Sequence, residues 1–217
     1  MKENKKWSEE AWNAALPVYD KILTLPFIEQ LADGTLPEEK FLFYIRQDSI
    51  YVENYCRVLA HIASRLTRQD QIEDFLKFAS VGIEVEKALH ETYLKQAGTA
   101  ALPTPTTLLY DSYESSKGLG PVEIEAAAIL PCFWVYQKVG EEIIKRCSRP
   151  NPYSRWIETY ADESFAQSTV RAVEICDALA ADASDSIRRE MTEAFVTATK
   201  MEWMFWDSAY NMEQWKI

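Results

Sequence analysis

The sequence has few of the residues on which several large classes of functional site depend. Its 217 residues include two histidines and six glycines. A carboxylate-bridged di-iron site needs two Glu-x-x-His motifs, but Val58 and Lys87 stand three residues before His61 and His90. Glu86 and His90 lie one turn apart, and two ligands alone make no metal site, so a core pair is the preferred interpretation. No Walker loop, nucleophile elbow or dinucleotide-binding glycine pattern occurs, which argues against bound nucleotides.

Positive charge and long apolar runs are also scarce. The formal net charge is −11 and the pI is near 4.8, whereas nucleic acids and anionic membranes require basic surfaces. No stretch of 18 apolar residues occurs, and the first residues contain no apolar signal region. The four cysteines form no C-x-x-C pair. We therefore expect no nucleic-acid partner, no membrane partner, and a cytoplasmic protein with reduced cysteines.

The residues that are abundant predict an all-α protein with one domain over residues 1–217. Hydrophobic residues make up 47% of the chain and aromatic residues 12%, enough for a sizeable core. The periodic stretches lack the alternation of strands. Helices are predicted over 8–26, with a possible kink at Pro17, then 37–66, 69–96 and a short segment with Tyr110 and Tyr113, then from Pro121 to about 147, and in two or three pieces from Tyr153 onwards.

The most informative feature is a proline directly before a cysteine inside a strongly helical segment. Pro131 removes one helical hydrogen bond and crowds the carbonyl of Ala127, at a cost of roughly 3 kcal/mol. Tyr136 is one turn after Cys132 and shares its face. Free cysteines often serve only as packing residues, which is the alternative interpretation. The bent helix and the nearby phenol favour a reactive site at Cys132.

Two carboxylates interrupt apolar helix faces. Asp48 lies in a stripe of aromatic and aliphatic residues together with Tyr44 and Tyr51, so it belongs either to a buried polar network or to a ligand site. Glu202 lies near the aromatic residues Trp203, Phe205 and Trp206. In apolar surroundings its pKa rises toward the range useful for proton transfer, whereas at the edge of the stripe it is solvated. The sequence leaves both pairs of alternatives open.

Four separated motifs then identify a family. The segments PFIEQLADGTLPEEKFLFYIRQDSIY, LPCFWVYQKVGEEI, NPYSRWIETYADESF and EWMFWDSAYNMEQW closely resemble the TenA or thiaminase II family, in the order found there and from about Trp12 to Trp215. The resemblance implies a haem-oxygenase-like helical bundle that binds no haem, needs no cofactor and is usually a homotetramer. It also implies a role in thiamin salvage. The reaction is hydrolysis of 4-amino-5-aminomethyl-2-methylpyrimidine, and less efficiently of thiamin, to hydroxymethylpyrimidine.

The resemblance also implies a role for individual residues. In the branch of the family that keeps the cysteine, Cys132 is the nucleophile, Glu202 the proton donor and Tyr51 the residue that supports the thiol. Asp48 binds the edge of the pyrimidine ring. Phe133 and Ile50 differ from residues common in relatives and are expected on the opposite helical faces. The remaining contacts are assigned to three tyrosines: Tyr136 and Tyr160 contact the substrate, and Tyr110 lines the pocket.

Two other functions are compatible with the sequence. The first alternative to a catalyst of this reaction is a non-catalytic pyrimidine-binding or regulatory protein. The second is a hydrolase of a different amino-heterocycle. Fold analogy alone does not separate these possibilities. The presence of Cys132, Asp48 and Glu202 together favours catalysis by a thiol on a flat, polar heterocycle.

Overall fold

The computed structural model describes residues 6–93 and 102–217, without the side chains at 85–87 and 89–91. In this part of the chain all regular structure is helical, as predicted. The side chains of Glu86 and His90, and the predicted end of the helix at 96, lie outside the part of the chain that the structure describes. The helices are α1 (Trp7–Leu23), α2 (Pro26–Asp33), α3 (Glu38–Arg65), α4 (Gln69–Tyr93), α5 (Pro105–Lys117), α6 (Val122–Arg146), α7 (Ser154–Tyr160), α8 (Glu163–Asp182) and α9 (Asp185–Tyr210).

The N-terminal region differs from the sequence prediction by one additional helix. Pro26 occupies the first position of α2, where its fixed φ and missing N–H cost nothing. Gly34 ends α2 in the left-handed conformation, with φ 72°. Pro17 lies within α1 and does not end it. Between the helices predicted over 8–26 and 37–66 the structure therefore has a short additional helix, which buries Phe27 and Ile28.

Helix α6 lies at the centre of the bundle and contacts α2, α3, α5, α7, α8 and α9. Small residues make this position possible, because Ala126, Ala127 and Ala128 are completely buried. The helix continues through Pro131. A side chain at Gly140 would come within 2.6 Å of the main-chain oxygen of Tyr160, so glycine permits α7 to approach α6 closely.

The second helix predicted from the sequence is confirmed as α3, and its stripe faces the core. Phe41, Tyr44, Asp48, Tyr51 and Tyr55 are all buried, as the period of three to four residues predicts. This stripe packs toward α5, α6 and α9, which brings Asp48 and Tyr51 close to the helix of Cys132. No helix in the described ranges is long and apolar enough to cross a membrane.

Candidate active site

A cavity of about 400 Å³ opens between α3, α4, α6, α7 and α8. Apolar and aromatic side chains form most of it, with a few polar groups among them, which is the usual composition of a small-molecule site. Four of the seven residues predicted for the site line this cavity: Asp48, Cys132, Tyr136 and Tyr160.

Cys132 is half-buried, and its thiol lines the cavity. Burial raises the pKa of the thiol well above its ordinary value, and the charges of Glu202 and Glu114 raise it further. A hydrogen bond from Tyr51 acts in the opposite direction and lowers the pKa of the thiol. Cys132 is thus an accessible thiol that depends on its hydrogen-bond donors to become a thiolate.

Asp48 lies on α3, is buried and lines the cavity. The hydroxyl of Tyr44 donates to Asp48 Oδ1 over 3.3 Å. That hydroxyl also lies 3.3 Å from Tyr136 Oη and accepts a hydrogen bond from Trp156 Nε1 over 3.3 Å. Asp48 therefore belongs to a buried polar network and also lines the cavity, and its role in binding a ligand stays a prediction.

The two tyrosines expected to contact a substrate are neighbours. The ring centroids of Tyr136 and Tyr160 are 4.9 Å apart, and those of Tyr136 and Trp206 are 4.8 Å apart. Trp156 packs against Tyr160 at 4.6 Å. These contacts hold the rings in place, so that a planar heterocycle in the cavity meets rigid aromatic surfaces.

Glu202 is buried, with an exposed fraction of 1%, so the solvated alternative for this residue is wrong. Tyr110 donates its hydroxyl proton to Glu202 Oε1 over 2.8 Å. Burial raises the pKa of Glu202 to about 8, and the charge of Asp48 adds to this effect, while the bond from Tyr110 lowers it. At neutral pH the carboxyl group therefore carries a proton next to the cavity wall.

Tyr51 connects the thiol to a second buried carboxyl group. Its ring stacks on Tyr110, with centroids 4.7 Å apart, and on Tyr55, with centroids 5.5 Å apart. Its hydroxyl lies 3.0 Å from Glu114 Oε1. Burial raises the pKa of Glu114 well above its ordinary value.

Three of the predicted site residues are not part of the cavity lining: Tyr51, Tyr110 and Glu202. For Tyr110 this differs from the expectation that it lines the pocket.

Sequence reasoning missed several residues of this region. Phe133 lines the cavity, whereas the sequence analysis placed it on the opposite face; the cavity is wide enough to contact adjacent positions of α6. Tyr55 also lines the cavity. Tyr44 and Trp156 could have been suspected from the buried stripe and the aromatic cluster. Glu114 lies one turn after Tyr110 on the buried face of α5, but the polar residues around it gave no reason to expect a buried carboxyl group.

The charged groups along the cavity are acidic. Asp48, Glu158 and Asp162 contribute carboxylates, and no lysine, arginine or histidine is present among the described residues that line it. The described part of the chain also contains no group of three or more potential metal ligands. The electrostatic character of the cavity is therefore suited to neutral or cationic small molecules.

Fold and site together define an all-α bundle with a small-molecule cavity that contains a thiol and carboxyl groups. The comparisons with known proteins specify this class further. The chain matches the model of the TENA/THI-4/PQQC family over residues 12–212. It is similar in fold to a domain of unknown function with a haem-oxygenase-like fold from Shewanella denitrificans, with a TM-score of 0.76 at 14% identity over 97% of this chain and 94% of that one.

Two relatives extend the match over most of the chain. An aminopyrimidine aminohydrolase of Bacillus subtilis is 32% identical over 97% of this chain and 92% of its own length. The thiamine biosynthesis multifunctional protein ThiED of Corynebacterium efficiens is 35% identical over 94% of this chain, which spans 28% of the length of that protein. The chain belongs to the TENA/THI-4/PQQC family and has the haem-oxygenase-like fold.

Proposed function

We propose that this protein is an aminopyrimidine aminohydrolase of thiamin salvage that works by covalent cysteine catalysis. Its substrate is 4-amino-5-aminomethyl-2-methylpyrimidine, with thiamin as a poorer substrate, and its product is hydroxymethylpyrimidine. The main supporting observation is the position of the Cys132 thiol in the cavity, within electrostatic reach of the buried carboxyl group of Glu202, whose pKa burial raises to about 8. The similarity to the Bacillus subtilis aminopyrimidine aminohydrolase supports the choice of substrate.

In this proposal the cavity binds the pyrimidine by its edge and its faces. The amino group and ring nitrogen form a donor–acceptor edge that the carboxylate of Asp48 reads. Tyr136 and Tyr160 provide aromatic surfaces for the flat ring. The acidic side chains of the cavity favour neutral or cationic substrates over anionic ones.

The first chemical step forms a bond between the sulfur of Cys132 and C6 of the ring. The electron pair of the C5–C6 double bond moves into a new double bond between C5 and the exocyclic methylene, and the carbon–nitrogen bond breaks. Glu202 protonates the amine as it leaves as ammonia. The proton that the thiol loses restores the acid form of Glu202.

The second step releases the product. The oxygen of a water molecule adds to the methylene carbon, and the electron pair returns to the ring as the bond between C6 and sulfur breaks. The proton of the water passes to the departing sulfur. The hydroxymethyl product and the free thiol result, so that each turnover of the aminopyrimidine consumes one water and releases one ammonia.

Product identification tests this function directly. Purified protein is incubated separately with the aminopyrimidine and with thiamin, and the products are identified by mass. We expect hydroxymethylpyrimidine from both, and faster from the aminopyrimidine. Binding of the pyrimidine without turnover would instead support a regulatory protein, and turnover of other amino-heterocycles alone would support the third possibility.

Replacement of Asp48 by asparagine is expected to weaken binding of hydroxymethylpyrimidine about tenfold to a hundredfold, the range for losing a hydrogen bond to a charged group. The amide retains the shape and still accepts from Tyr44, so the melting temperature changes little. Calorimetric titration and a thermal melt measure the two effects.

Asp162→Asn is the matched control for this variant. Asp162 also lines the cavity, and its side chain accepts from the main-chain N–H of Ser164 at the start of α8, a role that asparagine also fills. We expect near-normal affinity for Asp162→Asn. Wild-type affinity combined with a large loss of thermal stability in Asp48→Asn would mark Asp48 as a member of the core network only.

The acidic cavity predicts discrimination against phosphate esters. We expect thiamin monophosphate to bind about tenfold or more weakly than thiamin, because its phosphate meets carboxylates and no cation among the described lining residues. Competition binding at low ionic strength measures the ratio. Glu158→Gln removes one exposed carboxylate, so the affinities for thiamin and thiamin monophosphate should differ less in this variant than in the wild type. Equal affinity of the two ligands would contradict the charge argument.

The assembly and the cellular location stay predictions. We expect a homotetramer, as the family resemblance implies, and light scattering coupled to gel filtration measures the mass in solution. The single-domain organisation and the cytoplasmic location are likewise expectations from the sequence.

A further inference from the structure

Glu114 is a buried carboxyl group to which the reaction above assigns no role. Its side chain on α5 is completely buried, and Oε1 lies 3.0 Å from the hydroxyl of Tyr51. The other oxygen, Oε2, has no hydrogen-bond partner among the residues that the structure describes. No lysine, arginine or histidine of the described chain pairs with it either.

This environment disfavours the ionised form of Glu114. A buried carboxylate without a cation and with one unpaired oxygen carries a large desolvation cost, which a proton on the group removes. The charged groups that face it are also acidic, namely Glu202 on α9 and Asp111 on its own helix. Asp111 itself has an unpaired buried oxygen, and burial raises its pKa to about 7.

The position of the proton on Glu114 follows from its two oxygens. A proton on Oε2 would be a buried donor without an acceptor, and such orphaned donors are rarer than acceptors that lack a donor. A proton on Oε1 faces the oxygen of Tyr51 at hydrogen-bond distance. With the proton on Oε1, Glu114 is the donor in this pair and Tyr51 is the acceptor.

The consequence concerns the single proton of the Tyr51 hydroxyl. With Glu114 as donor, that proton is available for the sulfur of Cys132 or for the oxygen of Tyr110. A developing thiolate is the stronger acceptor because hydrogen bonds to charged groups are stronger. Tyr55 also faces Cys132, but its hydroxyl donates to the main-chain oxygen of Ile129 over 2.9 Å, and the Tyr110 hydroxyl donates to Glu202.

We infer that Glu114 is a positioning residue, whose proton, donated to Tyr51, turns the Tyr51 hydroxyl toward the sulfur of Cys132. The inference rests on the proposed function in that it gives Cys132 the role of nucleophile. It explains how the sulfur of Cys132, which is surrounded by acidic groups, receives a hydrogen bond from the Tyr51 hydroxyl. It also explains why a carboxyl group is present in a fully buried position beside Tyr51.

The test measures thiol reactivity, which needs no substrate. Alkylation of Cys132 by iodoacetamide is followed over pH 6 to pH 10 by peptide mass spectrometry, which separates it from the other cysteines, in wild type, Glu114→Gln and Glu114→Leu. Glutamine retains a donor for Tyr51, so its profile should match the wild type. Leucine has no donor, and we expect alkylation about tenfold slower near neutral pH, equal to a shift of about one pKa unit.

The opposite assignment predicts the opposite result. If Glu114 is ionised and accepts from Tyr51, both substitutions remove a negative charge, and Cys132 should react faster in both variants. A lower melting temperature with unchanged alkylation profiles in both variants would mean a structural role only. Either outcome overturns the inference.

Tyr51→Phe separates positioning from general disruption. In this background Glu114→Leu should have no further effect on alkylation, since the hydroxyl on which Glu114 acts is absent. If Glu114→Leu does not fold, the comparison of Glu114→Gln with wild type still decides between the two protonation states. Expected alkylation profiles in a wild-type protein that does not hydrolyse the aminopyrimidine would count against the proposed function alone.

Discussion

Replacement of Cys132 by serine is expected to lower turnover of the aminopyrimidine by about 10³-fold or more, because a hydroxyl of similar volume is a far weaker nucleophile than a thiolate. Binding of hydroxymethylpyrimidine should persist, since the polar groups assigned to the ring edge remain. Steady-state kinetics measure the first effect and calorimetric titration the second.

Cys147→Ser provides a control at the end of the same helix. Cys147 is also half-buried, and its thiol contacts the main-chain oxygen of Ile144, at a position that is not part of the cavity lining. This variant should retain normal turnover. Unchanged activity in Cys132→Ser would eliminate the covalent mechanism and would return Cys132 to the packing role that most buried cysteines have.

Intact-mass analysis of the wild-type protein during turnover adds an independent observation. The proposed first step joins sulfur to the ring and releases ammonia, so a protein adduct with the mass of the methylenepyrimidine is expected. The adduct should map to the peptide that contains Cys132 and should be absent from Cys132→Ser. An adduct on another cysteine would contradict the assignment of the nucleophile.

Much of the fold could be predicted from the sequence because its helices are long and periodic. The stripe of α3 required Asp48 and Tyr51 to face the core, and both are buried. The shared face of Cys132 and Tyr136 is also confirmed, since both line the cavity. Helix α2 was missed because eight residues contain few periods and Pro26 was interpreted only as the end of α1.

The surroundings of the carboxyl groups could not be predicted in the same way. The sequence did not decide whether the Glu202 side chain is buried or solvated, because its hydrogen-bond partner Tyr110 is 92 residues away in the chain. Glu114 lies among serines, tyrosines and Asp111, a composition typical of an exposed helix, yet it is fully buried. Such positions depend on which helices pack together, and local periodicity carries no information about that.

Glu202 is the group for which the structure supplies the most quantitative expectation. Its pKa of about 8 means that the carboxyl is mostly protonated at neutral pH, the form needed to protonate a leaving amine. The value is raised because burial penalises the charged form. As pH rises through about 8 the acid form is lost, so the wild-type rate should fall over that interval.

Glu202→Gln is therefore expected to slow turnover by about 10²–10⁴-fold, the contribution typical of general acid catalysis. The amide still accepts from Tyr110, so binding should survive better than rate. The alkaline fall of the pH profile near 8 should disappear with the carboxyl group. Retention of both the rate and the profile would assign the proton to Asp48 or to water, with Glu202 as a structural residue.

The same substitution has an expected effect on stability with a definite sign. The unfolded chain releases the Glu202 proton at its ordinary pKa near 4.5, whereas the folded protein keeps it up to about 8. The folded state thus binds more protons between these values, and stability falls as pH rises through this window, by a few kcal/mol in total. Glu202→Gln removes the titrating group, so its melting temperature should decline less than that of the wild type between pH 6 and pH 9. Parallel decline of the two melting temperatures would mean that Glu202 is ionised at neutral pH and would contradict its role as the acid.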